Sequence, residues 1–439
     1  MQNIHWKAPD CWINDPNGLI WYKGQYHLFY QCFPYAPKWG RMHWGHAVSR
    51  DLVHWEEKGI ALFPTKTDDR SGCYSGSAIE HDGQMHLFYT GVNYTQENPE
   101  NINVPLSDLT SAQLKISSAD GMTFDNFNKK TTILPPLTDP AIGSKTDTRD
   151  PKVWRGKDAW YLVLGSTVQN KGRLLFYKSD DLQNFTYCGF TEKENFGWMW
   201  ECPDYFEVNG TGVALFSPMG FLNDGKRYDA ATVCMLASFE EASGTMKLAD
   251  TYQFFDYGLD LYAPQSTLDK DGNRMILAWA RMPEAVDGKW IGMLCMPRIV
   301  QVKDRHICFR PHPNLSNSFS KQIASPKEAS RDGYRVQTTL QNGESISIGG
   351  YQIRREEDRI FTDRHAVFPK KPDFRLTAET PVIQTGTALD IYVDQNLIEV
   401  FIGDGEFVIS SVVYGLSDEI QGANYILHTT NFEKDGENT

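Results

Sequence analysis

The chain has 439 residues, a formal net charge of −13 and an aromatic content of 13%. This length provides material for two or three domains with a large core. The negative charge argues against nucleic acid and anionic membrane surfaces as partners, because the chain offers no basic stripe to meet phosphate groups.

The amino terminus, taken first along the chain, has the features of neither a signal peptide nor a membrane anchor. It lacks a charged region followed by an apolar stretch, and no run of 18 apolar residues follows anywhere. We therefore expect a cytoplasmic protein. The eight cysteines are scattered without a Cys-x-x-Cys pair. This spacing predicts reduced, mostly buried thiols, with no disulfide framework, metal site or other cofactor.

Residues 12–19 form the most informative segment and contain one carboxylate, Asp15, among asparagines and a proline. By composition alone, Asn-Asp-Pro-Asn-Gly is typical of a tight turn. A different interpretation becomes stronger because isolated carboxylates recur at matching places later in the chain.

Five short apolar runs follow, each rich in β-forming residues and preceded by a turn signal. They begin 59, 75, 53 and 62 residues apart and comprise residues 26–30, 85–89, 160–164, 213–217 and 275–279. A unit of about 60 residues fits four strands with loops, so five units predict a five-bladed β-propeller over residues 1–303. A β-sandwich or β-helix is the alternative, but neither gives one aromatic-rich strand in each such unit.

Polar residues lie in phase with these runs, 10 to 13 residues ahead of each one. In chain order they are Asp15, Ser75, Asp150, Glu201 and Tyr262. Because the first strand of each propeller blade lines the central axis, we expect these side chains to converge at one mouth of the channel. Three of the five are carboxylates, which indicates a pocket rather than a set of turns.

The pattern changes after Arg298. Residues 304–322 contain Pro311, Pro313 and a polar run, which predicts a linker. Residues 323–439 contain further strands separated by Asp and Gly turns, which predicts a β-sandwich domain and an all-β fold for the whole chain.

Carboxylates in an aromatic pocket, without a metal-ligand cluster, are typical of glycoside hydrolysis. Glu201 suits the proton donor, because apolar neighbours in the sequence would disfavour its ionised form. Asp15 lies beside asparagines and Asp150 follows Arg149, so we expect both carboxylates to stay ionised. His43 and His46 would point to opposite faces of a strand, which argues against a metal site.

The same segments resemble glycoside hydrolase family 32, the family of invertases and fructanases, over nearly the whole chain. The matching motifs are residues 12–19, 42–46 with 51–55, 75–77, 149–151, 201–204, and 390–401 with 404–405. Single motifs of this kind are weak. Their occurrence in order at the right separations is specific.

The resemblance implies a five-bladed propeller joined to a β-sandwich, and a retaining double displacement at C2 of a β-D-fructofuranosyl group. By motif position, Asp15 would be the nucleophile, Glu201 the acid/base and Asp150 the transition-state stabiliser. The fructose pocket would be lined by Asn14, Gln31, Trp39, Ser75, Arg149 and Trp279. From the residues alone, the two tryptophans suit a sugar platform and core packing equally well.

An enzyme inside the cell meets only imported sugars, so sucrose 6-phosphate or sucrose is the expected substrate. Lys38, Arg41 and Lys145 are candidates to meet a 6-phosphate at the pocket rim, with solvated surface cations as the alternative interpretation. Hydrolysis of fructo-oligosaccharides or fructans, and fructosyl transfer to another sugar, stay open. A pentosidase and a non-catalytic sugar-binding module are further alternatives, although Glu201 argues against the module. The sequence does not indicate an oligomeric state.

Overall fold

The computed structural model describes residues 4–7, 10–223, 225–329 and 333–430. Within these ranges the only helices are an α-helix at Pro313–Ser318 and a 3-10 helix at Pro326–Glu328, and strands dominate the rest. A helix needs an apolar face with a period of 3.6 residues, and the sequence lacks one. The prediction of an all-β fold is confirmed. No helix in the described part has the length and apolar character needed to span a bilayer.

Three four-stranded antiparallel sheets follow one another from the amino terminus. Within each sheet the strands pair in chain order. The strands are β1 Trp12–Tyr22, β2 Gln25–Phe33, β3 His43–Ser49, β4 Trp55–Leu62, β5 Gly72–His81, β6 Gln84–Tyr94, β7 Leu109–Ser118, β8 Thr131–Leu134, β9 Arg149–Arg155, β10 Trp160–Val168, β11 Lys171–Ser179 and β12 Thr186–Glu192. In each sheet the apolar run lies in the second strand, and the polar segment ahead of it lies in or directly before the first.

Two further antiparallel sheets and a small hairpin complete the amino-terminal part. The strands are β13 Met199–Val208, β14 Thr211–Met219, β15 Phe221–Asn223, β16 Lys226–Tyr228, β17 Val233–Glu240, β18 Thr245–Leu248, β19 Gln253–Phe254, β20 Leu261–Leu268, β21 Arg274–Ala280, β22 Met293–Leu294, β23 Arg298–Lys303 and β24 His306–Pro311. Strand β24 pairs with β23, inside the segment expected to be a linker. Ile307, Cys308 and Phe309 are all buried there, an apolar run too short to stand out beside the prolines that follow.

The first strands of the five sheets are neighbours in space. Strands β1, β5, β9, β13 and β20 each contact the next in this order, and β20 contacts β1. Trp12 in β1 also forms a parallel bridge with Ile291, next to the fifth sheet. Side chains at corresponding positions of these five strands are thereby brought close to one another.

Two antiparallel sheets form the rest of the chain, which we call the C-terminal sheet pair. Its strands are β25 Lys321–Ile323, β26 Tyr334–Thr339, β27 Ser345–Ile348, β28 Tyr351–Glu356, β29 Arg359–Asp363, β30 Thr377–Glu379, β31 Ala388–Val393, β32 Leu397–Ile402, β33 Phe407–Val412, β34 Ile420–Gly422 and β35 Tyr425–Thr429. One sheet has the order β25-β35-β26-β31-β32-β33 and the other β30-β29-β28-β27-β34. Val336 and Val400 of the first share an apolar cluster with Ile346 and Ile353 of the second, so the sheets pack face to face.

Candidate active site

All five first strands carry a β-bulge at the same level. In each, two residues oppose a single residue of the second strand, and these pairs are residues 14–15, 74–75, 150–151, 202–203 and 263–264. A bulge interrupts the ladder and re-aims the side chains beside it. Every residue that the sequence placed in phase lies in a bulge or directly before one, so the bulges explain how the five positions come together.

Asp15 lies in the first bulge and is 9% exposed. Ser75 Oγ donates to one carboxylate oxygen, and Asn14 Nδ2 donates to the other at 3.0 Å. Burial raises the pKa of the Asp15 carboxyl, the hydrogen bonds from Ser75 and Asn14 oppose this rise, and the charge of Glu201 adds to it. The two donors hold the carboxylate in one orientation.

A second layer of side chains orients these donors. Gln31 Nε2 donates to Ser75 Oγ at 2.5 Å, which directs the serine proton toward Asp15. Trp12 Nε1 donates to Asn14 Oδ1 at 2.9 Å. The Oε1 atom of Gln31 is buried and has no donor among the described residues. A buried acceptor of this kind suits a ligand hydroxyl.

Asp150 lies in the third bulge at a φ of +66°, a conformation that is uncommon for residues other than glycine. Its N–H donates to Thr90 Oγ1 at 2.9 Å, and its Oδ2 accepts the N–H of Cys202 at 2.8 Å. Burial raises the pKa of Asp150 to about 7, although Arg149 lowers it, and the charge of Glu201 raises it further. Arg149 favours the ionised form of Asp150, as expected from the sequence, but burial has the larger and opposite effect on its pKa.

Glu201 lies directly before the fourth bulge, and its side chain keeps 20% exposure. Arg149 donates to Oε1 through Nε at 3.0 Å and Nη2 at 2.8 Å, and Tyr262 Oη donates to Oε2 at 2.5 Å. Trp200 is fully buried. The expectation of apolar surroundings for the Glu201 carboxyl is therefore wrong. Trp200 is its neighbour in the strand and points to the opposite face, while Arg149 and Tyr262 bind the carboxyl.

The carboxyl groups of Asp15, Asp150 and Glu201 thus lie close together beside one guanidinium, that of Arg149. Arg149 is held from the other side by Asp147 Oδ1, which lies 3.2 Å from Nη1. Because the charges of Asp15 and Glu201 both raise the pKa of Asp150, ionisation of all three carboxyl groups at once is disfavoured. An ionised carboxylate together with a protonated one is what acid-assisted displacement at an acetal carbon requires.

The two candidate tryptophans, Trp39 and Trp279, differ in their exposure and in their neighbours. Trp279 packs against the buried cluster that contains Cys202 and Tyr262, and its Nε1 is buried without an acceptor among the described residues. Its ring lies 5.9 Å from that of Trp12. Trp39 is 36% exposed and meets Tyr74 edge-on at 6.3 Å. Trp279 therefore lies beside the carboxyl groups, whereas Trp39 offers an exposed aromatic surface.

The three candidate phosphate-binding cations differ in how they are engaged. Arg41 Nη2 donates to Glu97 Oε1 at 2.9 Å, so a carboxylate already occupies it. Lys38 and Lys145 are exposed, and no ion pair of either is found in the described part of the chain. Lys38 directly precedes Trp39. The sequence alone did not show that Arg41 is paired with a carboxylate and that, among the described residues, the two lysines are not.

The two histidines of the second motif have unrelated partners. His43 Nδ1 lies 2.9 Å from the carbonyl oxygen of Arg41, and His46 Nε2 lies 3.0 Å from His27 Nδ1. Over the described ranges, no three His, Cys, Asp or Glu side chains are grouped as a metal ion would require. All eight cysteines are free thiols, and seven of them are buried.

Cys202 is the residue whose part in the site the sequence did not reveal. Besides its N–H bond to Asp150, its Sγ lies 3.6 Å from Asp15 Oδ2 and 3.5 Å from Asp150 Oδ2, so it bridges the two aspartates. A signal was present, since Cys202 precedes a proline in its bulge as Asp150 does. Thr90 carried no local signal, because it meets Asp150 only where β6 contacts β9 of the next sheet.

Comparisons with known proteins match nearly the whole chain to one described family. The model of the glycosyl hydrolases family 32 N-terminal domain matches residues 5–311, and that of the family 32 C-terminal region matches residues 307–437. The sucrose-6-phosphate hydrolase of Escherichia coli is 31% identical over 97% of this chain and 92% of its own, and that of Bacillus subtilis is 30% identical over 93% and 88%. The raffinose invertase of Escherichia coli is 32% identical over 99% and 93%.

Solved structures show the same relationship. A Bombyx mori β-fructofuranosidase aligns with a TM-score of 0.81 and 27% identity over 97% of this chain and 93% of its own. The sucrose-6-phosphate hydrolase of Lactobacillus gasseri aligns with a TM-score of 0.86 and 24% identity over 98% and 93%. This second match concerns the fold.

Proposed function

Because the chain belongs to glycoside hydrolase family 32, we propose that it is a retaining β-fructofuranosidase acting on sucrose 6-phosphate or sucrose. The observation that carries the reaction is the close grouping of Asp15, Asp150 and Glu201, with Cys202 Sγ between the two aspartates and with Arg149 and Tyr262 on Glu201. The substrate rests on the relatives, several of which are named sucrose-6-phosphate hydrolases. A phosphorylated sugar does not cross membranes freely, which fits the cytoplasmic location expected from the sequence.

We propose that the five amino-terminal sheets are the blades of a propeller that comprises residues 1–303. The contacts of β1, β5, β9, β13 and β20 in sequence, and of β20 with β1, support this arrangement. Residues 323–439 would form a β-sandwich, of which 330–332 and 431–439 lie outside the described residues. The segment 304–322 would join the two domains while contributing β24 to the fifth blade.

In the first proposed step, Asp15 attacks C2 of the fructosyl group. The bond from C2 to the glycosidic oxygen breaks, and Glu201 transfers a proton to that oxygen, so the glucosyl part leaves as an alcohol. Asp150 would hold fructose hydroxyls and counter the positive charge that develops on the ring. Asn14 and Ser75 already donate to Asp15, which keeps an oxygen aimed at the substrate.

In the second step, Glu201 takes a proton from water, which attacks C2 and releases Asp15. Arg149 and Tyr262 stabilise the Glu201 carboxylate that this step requires, since both donate hydrogen bonds to it. Gln31, Trp39 and Trp279 would complete the fructose pocket. The net result is hydrolysis with retention at C2.

Isosteric amide variants test the catalytic assignments. Asp15→Asn and Glu201→Gln should each lower kcat on sucrose by about three orders of magnitude or more, because each removes a group that the chemistry needs. Asp181→Asn is a matched control, since Asp181 caps a surface turn and its carboxylate binds only backbone and neighbouring side chains. Turnover near the wild-type rate in either site variant would refute this mechanism.

The substrate is tested by comparing kcat/KM for sucrose, sucrose 6-phosphate, 1-kestose and inulin. If the 6-phosphate is recognised at the rim, Lys38→Met or Lys145→Met should raise KM for sucrose 6-phosphate about tenfold and leave sucrose unchanged. Arg41→Met is the matched control, because Glu97 already occupies that guanidinium.

Higher kcat/KM on kestose or inulin would favour an exo-acting fructan hydrolase. Chiefly oligosaccharide products at high sucrose would identify a fructosyltransferase.

A further inference from the structure

The segment 256–260 lies along the free edge of β33, the outermost strand of the six-stranded sheet. Ser410 in β33 donates its backbone N–H to Asp256 Oδ1 at 2.8 Å. Val412 donates its backbone N–H to Asp260 Oδ2, also at 2.8 Å. Two carboxylates thus take the place of a neighbouring strand and satisfy edge groups that would otherwise stay unpaired.

Arg364 strengthens the second of these contacts. Its Nη2 donates to Asp260 Oδ1 at 3.0 Å, while Nη1 donates to Asp260 Oδ2 and to the carbonyl oxygen of Val412 at 2.9 Å. Arg364 and Asp260 are each 2% exposed. Breaking such a buried fork is costly, because it leaves an unpaired charge in the interior. Asp260 is therefore anchored to the C-terminal sheet pair through both carboxylate oxygens.

The anchored residue directly precedes β20, the strand that carries Tyr262. The carbonyl oxygen of Asp260 accepts the N–H of Arg281 at 3.0 Å, and sheet pairing begins at the next residue. Tyr262 Oη in turn donates to Glu201 Oε2 at 2.5 Å. Two residues span at most about 7 Å, so the anchor leaves the phenol little freedom.

Tyr262 and Arg149 bind different oxygens of the same carboxyl group. Loss of the Tyr262 contact would free the Glu201 carboxyl to rotate about the remaining bonds from Arg149. Proton transfer is sensitive to such movement, because a displacement of about 1 Å can lower a rate by about a hundredfold.

We propose that Asp260 and Arg364 are a positioning pair through which the C-terminal sheet pair holds Tyr262 against Glu201 during protonation of the leaving oxygen. The proposal rests on the acid/base role of Glu201 in the proposed function. It assigns the C-terminal sheet pair a part in the reaction, beyond support of the amino-terminal sheets.

The test compares two substrates that differ in their need for an acid. The glucosyl part of sucrose leaves as an alkoxide unless its oxygen is protonated, whereas 4-nitrophenyl β-D-fructofuranoside releases a phenolate that is stable without a proton. We expect Arg364→Lys to lower kcat/KM for sucrose about tenfold, and that for the aryl fructoside less than about twofold. The pH profile of kcat/KM on sucrose should shift as it does in Tyr262→Phe.

A double variant and a control complete the experiment. Arg364→Lys combined with Tyr262→Phe should be no slower on sucrose than Tyr262→Phe alone, because both changes act through one contact. Glu284→Gln breaks a surface ion pair with Lys371 that also joins the two parts of the chain, and it should leave both substrates unchanged.

Equal losses on both substrates, additive effects and an unmoved pH profile would overturn the positioning role and leave Arg364 a structural residue. Circular dichroism and thermal melting check that each variant is folded. If Arg364→Lys is not folded, Asp260→Asn tests the same pair, because the amide oxygen can still accept the N–H of Val412. Wild-type sucrose hydrolysis by Glu201→Gln would instead refute the proposed function, whatever the Arg364 variants show.

Discussion

Asp150 is the residue at which the requirements of the site and of stability conflict most clearly. It adopts a φ of +66° and is 5% exposed. Burial raises its pKa to about 7, against the lowering by Arg149, whereas in the unfolded chain an aspartate titrates near 4. The unfolded state therefore loses its proton first, so the cost of the buried carboxylate grows as pH rises from about 4 to about 7.

Asp150→Asn should consequently stabilise the protein while removing its activity. The amide carries no charge and can still accept the N–H of Cys202. Above pH 7 we expect its free energy of unfolding to exceed that of the wild type by up to about 4 kcal/mol, and the difference should vanish near pH 4. Urea unfolding at pH 4.5, 6 and 8 measures this.

Asp181→Asn is the matched control for that series. Backbone hydrogen bonds from Asn184 and Gln183 lower the pKa of Asp181, so its removal should destabilise the protein at neutral pH. If the Asp150 variant is destabilised at neutral pH as the Asp181 variant is, the pKa of Asp150 is not raised in the folded protein.

At the scale of single residues, the sequence predicted which residues lie together better than it predicted what surrounds their carboxyl groups. Asp15, Asp150 and Glu201 were found from their shared phase, because that phase reflects one position in five similar sheets. The surroundings of Asp150 and Glu201 were misjudged from chain neighbours, because burial outweighs the effect of Arg149 on Asp150 and because Arg149 and Tyr262 bind the Glu201 carboxyl. Neighbours along a strand point away from each other, so the groups that set ionisation come from other strands.

The β-bulge is the element that converts five strands into one site. A proline lies in or directly after the bulge in four of the five sheets, where its missing N–H costs no ladder hydrogen bond. In the second sheet Gly76 takes the corresponding place. Residues 12–19 have the composition of a turn but form a bulge within β1. The bulge is defined by pairing with β2, which the composition of the segment does not reveal.

Gly76 gives a test of this element. A Cβ on Gly76 would lie 1.9 Å from the carbonyl oxygen of Phe88, so the backbone must move in Gly76→Ala. Because Ser75 donates to Asp15, we expect a loss of stability of about 2 kcal/mol and a fall in kcat of about tenfold in the protein that remains folded.

The control for this change is Gly83→Ala. Gly83 lies in the turn between β5 and β6 of the same sheet, and a Cβ there has nothing within 4 Å, although its φ of +70° makes alanine somewhat strained. Thermal melting and kcat on sucrose are measured for both variants. A lowered melting temperature with wild-type kcat in Gly76→Ala would show that the bulge does not position Ser75.

At the scale of the whole molecule, a buried charge network joins the amino-terminal sheets to the C-terminal sheet pair. Arg298 Nη2 donates to Glu399 Oε2 at 2.5 Å and to Asp256 Oδ2 at 2.9 Å. His5, near the start of the chain, lies between Asp394 and Glu399 at 2.5 and 2.9 Å. None of these pairs is visible in a local pattern, because their members lie up to 394 residues apart. The change of pattern after Arg298 is visible in the sequence, whereas this junction is not.

His5 makes the strength of this junction measurable through pH. Burial by itself would lower the pKa of His5, but the carboxylates of Asp394 and Glu399 raise it to about 9, above the value near 6.5 in an unfolded chain. The stabilisation is therefore complete below pH 6.5 and is lost as pH rises through 9, a change of about 3 kcal/mol. His5→Gln should remove this pH dependence from the free energy of unfolding measured in urea between pH 6 and 9.5. His365→Gln is the control, since His365 pairs with Asp363 at the surface and should keep the wild-type slope. Equal slopes in the two variants would mean that His5 is not protonated in the folded protein.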